Sequence, residues 1–127
     1  MSAAVRGLLL VNTGNGKGKS TAAFGVALRA IGQGLSVSII QFIKGKWKTG
    51  EMEAARHLGF ELMPMGKGFT WESKNLEEDK TLMRNAWNIA SEKILSGEYD
   101  LIILDEINYV LGYGRFPVTI KFTGGGI

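Results

Sequence analysis

The chain has 127 residues, 45% of them hydrophobic, which suits one core in one domain spanning residues 1–127. Its 15 basic and 12 acidic residues leave a net charge of +3, too slight an imbalance to argue for a nucleic-acid partner. The absence of cysteine excludes a disulfide framework, a thiolate nucleophile and Cys-ligated zinc. MSAAVRG has no long apolar stretch before a cleavage site, and the apolar run at residues 8–11 is far too short to span a bilayer. The expectation is a cytoplasmic protein with no membrane partner.

Taken in chain order, "LLLVN" (residues 8–12) is a continuous apolar run closed by a glycine-rich turn, which predicts a strand buried on both faces of a parallel sheet. From Lys19 the sequence carries Phe24, Ala27, Leu28 and Ile31 at helical spacing, with Gly32 or Gly34 available as a left-handed stop. "LSVSIIQFI" (35–43) is β-branched and predicts a second strand, followed by a basic loop holding Lys44, Lys46 and Lys48. A short helix is expected over 50–58 and a strand over 60–65. "GKGFTWESKN" (66–75) reads as a loop with two large aromatics, Phe69 and Trp71. Asn75 and Glu78 form a capping box for a long helix whose buried stripe is Leu82, Met83, Ala86, Trp87, Ile89, Ala90 and Ile94. "YDLIILDE" (99–106) is an apolar strand ending in two acids, and "INYVLGYG" suits a short helix. Strands alternating with helices predict an α/β layered fold with ligands at the carboxyl ends of the strands.

The chemistry concentrates in two places. "TGNGKGKST" (13–21) matches G-x-x-x-x-G-K-[ST] except that Thr13 stands where the first glycine belongs. Gly14, Gly16 and Gly18 free backbone N–H groups to converge on a phosphate, the following helix adds its positive end, Lys19 a point charge and Ser20 a hydroxyl suited to Mg²⁺. "LIILDE" brings Asp105 and Glu106 to the same sheet edge, where one carboxylate can ligate or orient the metal, or merely form a turn or helix cap. His57, the single histidine, falls in the last turn of a short helix, where a favourable dipole contact explains it, and no acid–base constellation stands out.

Four segments in order, "TGNGKGKSTAAFGVALRAIGQG", "QFIKGKWKTGE", "GKGFTWES" and "LIILDEINYVLGYG", resemble the P-loop corrinoid adenosyltransferases of the ATP:cob(I)alamin type over residues 8–116. The resemblance implies a P-loop NTPase-like (RecA-like) three-layer α/β fold and transfer of the 5′-deoxyadenosyl group of ATP to the Co(I) of a corrinoid, with triphosphate released. Because cobalt is then the nucleophile, no side-chain base is required. It further implies that ATP lies in reversed sense along Thr13, Gly14, Asn15, Gly16, Lys17, Gly18, Lys19, Ser20 and Thr21, with Asn15 near the ribose. Lys19 would stabilise the leaving triphosphate, and Ser20 with Asp105 or Glu106 would hold Mg²⁺ (or Mn²⁺). Phe69 and Trp71 would pack beneath the corrin and displace its lower ligand, easing reduction to Co(I); their plain alternative is a hydrophobic staple for the following helix. A homodimer and an electron-donating flavoprotein are the partners implied.

The family's chains continue further, with another helix and a strand ending in a T-G-R-G-like turn, whereas "RFPVTIKFTGGGI" follows at once here. The expectation is a fold shortened at the C-terminus, with "VTIKFTGGG" either standing in for that later strand or adding nothing to the sheet. Two other readings stay open on the residues alone: a small P-loop kinase or ATPase of other specificity, and an inactive nucleotide-binding or corrinoid-chaperone fragment.

Overall fold

The computed structural model describes residues 7–42, 49–65 and 76–113. Their order is α1 (Lys19–Gly32), β1 (Val37–Gln41), α2 (Gly50–Leu58), β2 (Glu61–Pro64), α3 (Leu76–Ser96), β3 (Leu101–Asp105) and α4 (Asn108–Tyr113). The strands form a parallel sheet in the order β2-β1-β3, with Ile39 opposite Leu62 and Ile103. The fold class is therefore α/β, as the alternating pattern requires.

Both faces of the sheet are covered, and strand alternation decides by what. Val37 and Ile39 point with Leu62, Leu101 and Ile103 toward Ala27 and Ala30 of α1. Ile40 and Phe42 point the other way, into a cluster with Met83, Ala86, Trp87 and Ala90 of α3 and Val110 of α4. Ile39 and Ile40 are fully buried on opposite faces, each burial stabilising by about 1.5–3 kcal/mol. Burial on both faces suits the β-branched character of β1, whose two polar side chains, Ser38 and Gln41, are buried as well.

At the amino ends of the strands a polar network ties β1, β2 and α3 together. Glu61 accepts from Ser38 Oγ at 3.0 Å and Tyr99 Oη at 2.8 Å and pairs with the Lys93 ammonium at 2.5 Å. Burial pushes the Glu61 carboxyl up, but the hydrogen bonds from Lys93, Tyr99 and Ser38 outweigh it and hold the group below its ordinary value. The bond to Glu61 raises Lys93 in turn. A cleft of about 360 Å³ opens at this end, with Ile31, Leu58 and Phe60 among its lining residues.

Two expectations need correction. Residues 8–12 are not a strand of the sheet, and Leu8, Leu9, Leu10 and Val11 are 83%, 87%, 61% and 74% exposed. A strand buried on both faces needs a neighbour to pair with, and among the described residues the sheet ends at β3 with no further strand beside it. Leu28, expected in the buried stripe of α1, is 56% exposed; the helix instead seats Ala27 and Ala30 on the sheet, their small side chains allowing close approach. The basic loop at 44–48, Asn75 of the capping box and the tail from residue 114 lie outside the described residues. Among the described residues, no helix is long and apolar enough to cross a membrane.

Candidate functional site

Of the three longer helices, only α1 begins without acidic help. Thr49 caps α2 by accepting from Met52 N–H at 3.3 Å, and Glu51 and Glu53 stand in its first turn. The first turn of α3 holds Glu77, Glu78 and Asp79. By contrast α1 starts from Gly18, with no side-chain cap and no acid in its first turn. No cap and no acid of its own first turn offsets its positive dipole end, an arrangement suited to receiving an anion.

The loop before it alternates in a way only glycine tolerates cheaply. Gly14, Gly16 and Gly18 have φ of 123°, 90° and 110°. A Cβ built on any of the three would meet nothing within 4 Å, so backbone conformation and not crowding within the protein selects glycine here. Between them Asn15 and Lys17 are exposed, and Lys19 Nζ donates to the Gly16 carbonyl at 2.6 Å. The ammonium therefore lies back across the loop.

One contact fastens the loop and helix to the sheet edge. Ser20 Oγ donates to Asp105 Oδ1 at 2.6 Å, joining the first turn of α1 to the last residue of β3 across 85 positions of sequence. Asp105 is 6% exposed, and its other oxygen, Oδ2, has no hydrogen-bond partner. Glu106 is exposed and has φ 65°, a left-handed conformation that costs a residue with a Cβ about 1–2 kcal/mol. Such local strain is commonly concentrated at functional turns. The structure thus brings Lys19, Ser20 and Asp105 to one place, with Glu106 following on the exposed turn.

Among the described residues no three His, Cys, Asp or Glu side chains gather into a metal cage. A hydroxyl and a carboxylate with one oxygen unpartnered are nonetheless hard oxygen donors, the set from which Mg²⁺ takes one or two protein ligands while phosphate oxygens and water supply the rest. Phe69 and Trp71 lie outside the described residues. His57 is exposed at the end of α2 with Nδ1 2.9 Å from the Glu53 carbonyl, the helix-end contact expected of it. Trp87 is 8% exposed within the core.

The sequence reading passed over Gln41. It ends β1 in register with Asp105 at the end of β3, is 1% exposed, and has neither its amide oxygen nor its amide nitrogen hydrogen-bonded. Each orphaned buried group costs about 1–3 kcal/mol. The available signal was a carboxamide closing the central strand at the carboxyl edge of the sheet.

A parallel-sheet α/β protein whose glycine loop feeds an uncapped helix, hydroxyl-bonded to a strand-end carboxylate, has an architecture suited to an anionic ligand at the carboxyl edge of its sheet. More particularly, residues 5–120 match the profile of the ATP:corrinoid adenosyltransferase BtuR/CobO/CobP family, and the chain belongs to that family. It is 43% identical over 113 residues to the corrinoid adenosyltransferase of Escherichia coli strain K12, covering 89% of this chain and 58% of that protein. It is 42% identical over 113 residues to the Salmonella typhimurium corrinoid adenosyltransferase, with the same coverage of 89% and 58%. A Pseudomonas aeruginosa corrinoid adenosyltransferase is 43% identical over 111 residues, 86% of this chain and 55% of that protein. The chain spans little more than half the length of these relatives.

Proposed function

We propose that the chain transfers the 5′-deoxyadenosyl group of ATP to the Co(I) of a corrinoid, cobalamin or cobinamide, in adenosylcobalamin biosynthesis or salvage. The observation that carries this reading is the Ser20–Asp105 hydrogen bond at the mouth of a left-handed glycine loop, in a chain of this family. The fold reads as the P-loop NTPase-like, RecA-like one, supported by the parallel sheet and the helix that follows the loop.

In the reaction the cobalt electron pair forms a Co–C bond at C5′ as the C5′–O bond breaks, and triphosphate leaves with that bond's electrons. The chain's part is to bind and orient the nucleotide and to stabilise the leaving group's charge. Amides of residues 14–21 would surround the triphosphate, and Lys19 would exchange the Gly16 carbonyl for a phosphate oxygen. Asn15 would lie near the ribose, and Thr13 would accompany the reversed nucleotide pose. Ser20 and Asp105, with Glu106 adjacent, fit a Mg²⁺ (or Mn²⁺) ion, which when bound would neutralise charge developing on the triphosphate. Phe69 and Trp71 are assigned to the corrin's lower face on the resemblance of "GFTWE". A cytoplasmic homodimer served by an electron-donating flavoprotein completes the reading, again by resemblance.

Incubation of the full chain with ATP, Mg²⁺ and chemically reduced cobalamin should yield adenosylcobalamin and triphosphate in equal amounts. Release of ADP in the absence of corrinoid, with no adenosylcobalamin formed in its presence, would overturn the assignment. Trp71→Ala should spare ATP binding while impairing the reduction of Co(II), measured by its visible spectrum.

A further inference from the structure

Gln41 is a polar residue whose side-chain amide has no hydrogen-bond partner within the protein. Its backbone is held on both sides, by register with Pro64 of β2 and Asp105 of β3. Alternation along β1 puts its side chain on the face of Val37 and Ile39, which is the face α1 covers. Asp105 shares that face, because Ser20 of α1 reaches its Oδ1. Three buried polar atoms without partners, Gln41 Oε1, Gln41 Nε2 and Asp105 Oδ2, therefore stand on adjacent strand ends beneath the first turn of α1. Neighbouring strands lie about 4.8 Å apart, so one small group can touch both side chains.

The neighbours on the protein side leave little to choose from. Pro64, across from Gln41 in β2, has no N–H to donate, and Ser20 already gives its proton to Asp105. A carboxamide both donates and accepts, so the ligand that would satisfy it must present an acceptor and a donor side by side. A hydrated divalent cation on a nucleoside triphosphate does this, offering phosphate oxygens and metal-bound water together.

Resting on the proposed use of ATP and Mg²⁺, we infer that Gln41 is a positioning residue for the metal–triphosphate unit. Its Oε1 accepts from a water on the cation and its Nε2 donates to a phosphate oxygen, while Asp105 Oδ2 takes the other side of the same hydration shell. Residues 13–21 grip the phosphates from above the sheet edge; Gln41 reads from below whether the metal has come with them.

The test is calorimetric titration of ATP into the full chain, with Mg²⁺ and again with EDTA, for the wild type, Gln41→Met and Gln41→Glu, alongside thermal unfolding without nucleotide. Methionine matches glutamine in length and needs no partner. Gln41→Met should therefore raise the nucleotide-free melting temperature while weakening ATP binding in Mg²⁺ about tenfold or more, as loss of hydrogen bonds to charged groups does. The advantage of Mg²⁺ over EDTA should shrink with it, an effect a merely structural glutamine would not produce. Gln41→Glu keeps the acceptor but sets an anion against the phosphate, and should bind more weakly than wild type also if Gln41→Met fails to fold. Wild-type affinity and wild-type metal dependence in either folded variant would overturn the role of Gln41 alone. A wild type that binds no ATP would bring down the nucleotide reading and this inference together.

Discussion

Lys19 and Glu61 show how differently two charged side chains are used at opposite ends of one sheet. The Lys19 ammonium is exposed, held among the described residues by the Gly16 carbonyl, and is thus available to trade that bond for a phosphate. Lys19→Ala should lower ATP affinity roughly 10- to 100-fold, the range for losing a charge-assisted contact. The melting temperature without nucleotide should stay unchanged; an equal fall in both would mean the lysine is structural. Glu61 is instead committed within the fold, and its contribution depends on pH. Because the folded state holds Glu61 below its ordinary 4.5, its stabilisation is present above that pH and is lost as pH falls through the folded value. Lys93 is raised above its ordinary 10.5, so its share is present below that pH and disappears as pH rises through the folded value. Glu61→Gln should cost about 1 kcal/mol across the neutral range, a modest figure because the carboxylate is partly exposed to screening solvent. In denaturant melts the gap to wild type should narrow below about pH 4.5 and again above about pH 10.5; a gap independent of pH would remove the ionic account. Residues such as Lys19, Ser20 and Asp105 were legible because motif spacing names them. Gln41 was not, because a motif describes which residues accompany a loop and says nothing about a polar atom left unpaired by three-dimensional packing.

Elements were legible where their ends carry chemical stops. The bounds of α2 are those expected, since Thr49 caps one end and Gly59, at φ 76°, turns the chain at the other. The stop of α1 resolves in the same way: Gln33 closes the helix at φ −89° and Gly34, at φ 80°, is the left-handed residue. The start of β1 was read too generously, at Leu35 where the strand begins at Val37, because the apolar run starts before the strand pairing does. The stripe of α3 was read well at Met83, Ala86, Trp87 and Ala90, where large and small side chains alternate against the sheet. The stripe of α1 was read well at Ala27, which is buried, and at Phe24 and Ile31, which pack against the same cluster, but not at Leu28, which lies 56% exposed. The small residues make the prediction at this scale. Ala90 is fully buried in the interface of α3 with the sheet, so Ala90→Leu should destabilise by about 1–3 kcal/mol through overpacking. Ala90→Gly should cost about 1 kcal/mol through helix propensity, with the lost burial of one methyl group adding to it. Urea unfolding separates them; a leucine tolerated at no cost would show that the interface is looser than its burial implies.

For the whole molecule, apolarity identifies what must be covered without identifying the cover. Residues 8–11 were expected inside because four consecutive large aliphatic side chains rarely stay in water, and here they are at least 61% exposed. They immediately precede the glycine loop, so whatever takes them up also braces the loop from its N-terminal side. The described sheet meanwhile has β2 and β3 as edges. An exposed apolar run and a strand edge open among the described residues each favour pairing between chains. The full chain should accordingly self-associate with rising concentration in sedimentation velocity, and Leu9→Lys combined with Val11→Lys should shift it toward monomer by placing like charges on the contact. Since those positions lie outside the loop, the double variant should keep its glycine-loop chemistry, and ATP affinity should fall only to the extent that bracing of the loop depended on assembly. Sedimentation of the double variant indistinguishable from wild type would show that the run is not the contact. Unchanged affinity in a monomeric variant would show that the loop holds its left-handed glycines without help from a second chain.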